Sequence, residues 1–197
     1  MSANIDLSFS HDWQAAILSA RPLILPSRHF TYPREAEEVE RGALEVLIQP
    51  QMGSDSKAGP TPDTSPQFLA TCALGFRDPA VPTGLWSTPN PKTICAICGG
   101  YAYLIDTTAP EQFTMLPYRP VLEVHPAPAE NLLLFAGHRS ILAWGASGQA
   151  WESEKLSDEG ITISAIQNGT LRGTGWHLLT DKEVPFVLDL STGSKLK

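Results

Sequence analysis

The sequence is poor in several things, and each shortage narrows what the chain can be. It has three cysteines, Cys72, Cys95 and Cys98. So small and odd a set does not make the disulfide framework of a small secreted domain, so reduced thiols in a cytoplasmic protein are expected. Basic residues are in the minority, 14 Lys and Arg against 21 Asp and Glu, for a formal net charge of −7. A nucleic-acid binder needs a basic face to neutralise phosphates, so no nucleic acid is expected as a partner. Long apolar runs are missing: the longest resemble Leu132–Ala136. A bilayer span takes roughly 18 residues, so no membrane partner is expected. Residues 1–13 carry neither the basic nor the apolar region of a signal peptide.

What remains is a chain of 197 residues, 42% hydrophobic, with 15 Gly and 17 Pro. That is enough apolar material for a core, and the Gly and Pro content fits a loop-rich β architecture. Two short helices are expected first. Over Ser10–Ala20, Ser10 serves as N-cap, and Trp13, Ala16, Ile17 and Ala20 recur at helical spacing before Pro22. Over Pro33–Arg41, a proline in the first turn is followed by Glu35, Glu37, Glu38 and Glu40. Ala43–Ile48 then reads as a strand, and residues 50–66, rich in Pro, Gly and Ser, as a flexible loop. From residue 67 onward the chain reads as short strands with turns about every 8 to 12 residues. The expected fold class is therefore all-β, as a sandwich or as propeller-like antiparallel blades. The expected organisation is an N-terminal helical and strand segment over 1–49, the loop 50–66, and a repeat-containing β domain over 67–197.

Three stretches share a pattern of a strand, an Asp or Gly turn, then Ser or Thr. Aligned on Asp106, Gly145 and Asp189, they lie 39 and 44 residues apart. A period near 40 suits a four-stranded blade, which buries its faces by stacking on copies of itself. Ile141–Trp151 resembles the blade signature of quinoprotein-type β-propellers, and Leu188–Gly193 is similar to the same turn. In that family a strand ends in Ala-x-Asp, a Thr-Gly turn follows, and a Trp on the next strand docks on the neighbouring blade. This chain departs from the signature in three ways: Gly145 replaces the Asp, the Gly148–Trp151 spacing is one residue short, and the last copy lacks its Trp. The resemblance covers about half the chain and implies packing, not chemistry. Three blades do not close a ring, because propellers typically have 4 to 8.

Residues able to carry chemistry are few. Cys95 and Cys98 form a CxxC, the weak candidates for a metal or redox site, but there is no second ligand pair at zinc spacing. Strand alternation would also send the two thiols to opposite faces. His138-Arg139 and Trp176-His177 fall at similar strand ends, and with Trp144 they are the candidate ligand-binding residues of one rim. The phosphate-loop, dinucleotide-binding and metalloprotease motifs do not occur. The expected function is a non-catalytic protein-interaction or binding module, with a protein partner or self-association and no cofactor. The alternatives are an enzyme or small-molecule binder using the rim near His138 and His177, and a zinc or thiol protein using the CxxC.

Overall fold

The computed structural model describes residues 3–34, 41–51 and 66–196. These residues form sixteen strands, with a 3₁₀ turn at Pro128–Glu130, so the protein is all-β. They divide into two compact units, residues 1–87 with 91–117, and residues 88–90 with 118–197. The division groups residues 67–117 with the N-terminal segment.

The first unit contains β1 (Asn4–Asp6), β2 (Trp13–Leu18), β3 (His29–Tyr32), β4 (Ala43–Pro50), β5 (Phe68–Ala73), β6 (Gly84–Ser87), β7 (Thr93–Cys98), β8 (Tyr101–Asp106) and β9 (Phe113–Met115). One sheet has the order β1-β6-β7-β8-β9, the other β2-β4-β5-β3. Side chains alternate faces along a strand, and the inward sets of the two sheets meet in one core. Val46, Ile48, Phe68, Ala70 and Cys72 come from one sheet, and Ile94, Ala96, Cys98, Tyr103 and Ile105 from the other. Cys95, Ile97 and Leu104, on the opposite face of the second sheet, are buried as well. Burial on both faces is why Thr93–Cys98 reads as a nearly unbroken apolar run. β1 runs parallel to β6 with Asn4 opposite Gly84. A Cβ on Gly84 would lie 2.0 Å from the Asn4 carbonyl oxygen, so this close pairing requires glycine.

The helix expected over Ser10–Ala20 is instead strand β2. Trp13, Ala16, Ile17 and Ala20 suit a helix face, but Trp13, Ala15 and Ile17 suit a strand face equally well, and all three belong to the core. A short apolar run carries both periods, and the partner decides. Here the partner is β4, paired antiparallel from Trp13↔Pro50 to Leu18↔Glu45. The helix expected over Pro33–Arg41 and the loop over 50–66 lie largely outside the described residues. Tyr32, just before that segment, ends β3. It is buried, and its hydroxyl donates to the Pro110 carbonyl at 2.8 Å.

The second unit contains β10 (Glu123–Ala127), β11 (Leu132–Ala136), β12 (Ile141–Gly145), β13 (Gly148–Glu152), β14 (Ile161–Gln167), β15 (Thr170–His177) and β16 (Lys182–Asp189). They form one antiparallel sheet in the order β10-β11-β12-β13 and another in the order β14-β15-β16. Leu134, Ala136, Ile141 and Ala143 of the first pack with Leu171, Phe186 and Leu188 of the second. Trp151 joins the sheets at one end. Its Nε1–H donates to the Leu190 carbonyl at 2.7 Å, and its ring lies over Gly193, where a Cβ would approach Cε3 to 2.5 Å.

Candidate functional site

A concavity that includes the predicted site residues Trp176 and His177 lies in the second unit, where a strap over residues 153–160 links β13 to β14. The strap is held on both sides. Leu156 N–H donates to the Arg139 carbonyl at 2.7 Å and Gly160 N–H to the His138 carbonyl at 2.9 Å. Asp158 N–H donates to the Trp176 carbonyl at 2.7 Å. Gly175 makes this approach possible, because a Cβ there would stand 2.3 Å from the Leu156 carbonyl oxygen. The turn bearing His138 and Arg139 and the end of β15 bearing Trp176 and His177 thus flank the same strap.

Their side chains do not all share one cavity. A groove of about 470 Å³ is lined by Leu156, Trp176, His177, Leu178, Leu179 and Val184, with Lys155, Asp158 and Lys195 among its polar residues. His138 and Arg139 are exposed on the other side of the strap and do not line it. Trp144 is half-buried near the far end of β12, opposite Leu133 and Gln149. The sequence overlooked Leu178 and Leu179, which are 66% and 90% exposed at the β15–β16 hairpin loop. The readable signal was an apolar pair in a turn, where polar residues are usual.

Asp158 is the carboxylate that lines the groove. Its carboxylate accepts from Lys155 Nζ and, at 2.8 Å, from Leu178 N–H. The lysine hydrogen bond first, and then the backbone amide, hold its carboxyl below the usual aspartate range. Both carboxylate oxygens are thereby engaged within the protein. His177 Nδ1 meets Thr180 Oγ1 at 2.9 Å, which orients the imidazole along the loop.

A second polar cluster, absent from the sequence reading, sits on the β3-β5-β4 face of the first unit. Glu45 and Thr71 are directly opposite in register and both buried. Thr71 Oγ1–H donates to Glu45 Oε2 at 2.6 Å, and His29 Nε2 lies 2.9 Å from the same hydroxyl. With its one proton committed to the carboxylate, the hydroxyl accepts from His29, which puts the proton on Nε2. Burial first, and then Arg21, lower the His29 pKa, against the pull of Glu45.

The three cysteines are free and buried. Cys98 faces the sandwich core and Cys95 the opposite side of β7, so the two thiols diverge and do not bind one ion together. Burial pushes Cys95 and Cys72 far up and Cys98 up to about 12, away from thiolate chemistry. Among the described residues, no three His, Cys, Asp or Glu side chains converge as metal ligands, and no helix is long and apolar enough to cross a membrane. No protein-family model matches the chain, and no curated protein matches it.

Proposed function

We propose that the chain is a non-catalytic protein-interaction module whose groove beside the β15–β16 hairpin receives an acidic, apolar segment of a partner protein. The carrying observation is the exposed Leu178–Leu179 pair beside Trp176 in a groove of about 470 Å³. Covering a leucine removes apolar surface from water and gains roughly 1.5–3 kcal/mol. Trp176 is the kind of aromatic anchor that dominates interfaces. Asp158 is neutralised internally, which leaves Lys195 as the charge at the groove that a partner carboxylate complements. The wider rim extends across the strap to His138 and Arg139.

The antiparallel meanders β6–β9, β10–β13 and β14–β16 are read as blades of the quinoprotein-propeller kind. Two observations support this. The Asp106 and Asp189 carboxylates each accept from the backbone N–H and the hydroxyl of the residue two positions on, Thr108 and Ser191. Trp151 also docks on the Leu190–Gly193 turn. The free thiols support a reducing, cytoplasmic setting.

Peptide display against the whole protein tests the interaction reading. The enriched sequences are expected to join aliphatic or aromatic residues to Asp or Glu. Binding of a selected peptide should quench or shift tryptophan fluorescence and be lost in Leu178→Ser/Leu179→Ser. Enrichment of basic peptides, or binding that survives the double substitution, would contradict it.

A further inference from the structure

The loop between β2 and β3 in the first unit carries three consecutive exposed aliphatic side chains. Leu23, Ile24 and Leu25 are 104%, 89% and 41% exposed. Pro22 and Pro26 bracket them, fixing the backbone on either side of the tip and limiting the entropy the loop loses when it binds. The base of the loop is anchored. Arg28 donates to the Pro66 carbonyl at 2.7 Å and lies 5.7 Å from the centres of the Phe30 and Phe68 rings. Three consecutive aliphatic residues on a braced, anchored protrusion have no role in the core of their own unit.

Charge identifies what the loop meets. The chain carries −7 overall, yet the loop residues 19–28 contain Arg21 and Arg28 and no Asp or Glu. Arg21 is exposed next to the tip. An apolar tip with a basic base is complementary to a bilayer surface, where acyl chains take the aliphatic side chains and anionic headgroups take the guanidinium. The tip is convex and wholly aliphatic. A fluid lipid surface opens its own space for such a tip, whereas a protein partner needs a matching pocket and usually an aromatic anchor. We infer that Pro22–Pro26 is a surface wedge that docks the first unit on anionic membranes. The absence of a spanning segment does not bear on a contact only three residues long. This inference rests on a different unit from the peptide groove and stands apart from it.

The test is co-sedimentation of the full chain with vesicles of phosphatidylcholine alone and of phosphatidylcholine with 30% phosphatidylserine (roughly the anionic fraction of a charged leaflet). Binding is expected to the anionic vesicles, weakening as salt rises. The triple substitution Leu23→Ser/Ile24→Ser/Leu25→Ser should reduce partitioning about a hundredfold. Arg21→Glu should reduce it about tenfold. All four positions are exposed, so both variants should keep the wild-type melting temperature. No binding to either vesicle, or binding that survives the triple substitution, would overturn the inference. So would self-association in sedimentation velocity, without vesicle binding, that the triple substitution abolishes; the loop would then be a contact between copies.

Discussion

Two glycines with nearly the same backbone allow the docking of Trp151 to be measured. Gly169 has φ +71° and Gly193 has φ +70°, both in the left-handed region. A Cβ on Gly169 meets nothing within 4 Å, whereas one on Gly193 would stand 2.5 Å from Trp151 Cε3 and 2.6 Å from Cδ2. Gly169→Ala therefore reports the conformational cost alone, about 1–2 kcal/mol. Gly193→Ala adds the displacement of a buried indole, an overpacking cost of about 1–3 kcal/mol. If the indole moves far enough to release the Leu190 carbonyl, about 1 kcal/mol more is lost. Urea unfolding followed by tryptophan fluorescence should place Gly193→Ala about 1–3 kcal/mol below Gly169→Ala. In a Trp151→Leu background that difference should shrink, as a coupled pair requires. Equal losses for the two glycine variants, or a difference unchanged by Trp151→Leu, would refute the docking argument.

Other outcomes follow from the polar clusters and the thiols. Thr71→Val should cost about 1–3 kcal/mol, because the buried Glu45 carboxylate loses its hydroxyl donor, while Thr71→Ser should recover most of it; denaturant midpoints check both. His29 has a folded pKa below its unfolded value, so the unfolded chain takes up the proton first. Stability should thus be full above about pH 7, fall as pH drops through about 6.5, and level off below the folded pKa. His29→Gln, which keeps a donor to Thr71, should flatten that part of a melting-temperature profile. Cys72, Cys95 and Cys98 should resist a thiol reagent in the native protein and react together after denaturation, as a colorimetric thiol count would show.

The all-β character was legible because alternation and turn residues recur along the chain. Ala43–Ile48 reads as a strand from its branched residues, and β4 spans Ala43–Pro50. β2 was not legible, since Trp13–Leu18 satisfies helical and strand spacing alike and only its pairing with β4 distinguishes them. The flanking of one strap by His138-Arg139 and Trp176-His177 depends on backbone hydrogen bonds from Leu156, Asp158 and Gly160, which no local pattern announces. Glu45, Thr71 and His29 lie far apart in sequence and meet through sheet register. The one hint was a carboxylate inside the apolar run Ala43–Ile48. The divergence of Cys95 and Cys98 could be read directly, because an odd separation on a strand places residues on opposite faces.

The central claim, a binding groove between the strap and the β15–β16 hairpin, is tested most directly by amide hydrogen exchange of the protein with and without a display-selected acidic peptide. The account predicts new protection confined to residues 155–158 and 176–184. Protection centred elsewhere, with these two segments unchanged, would contradict it.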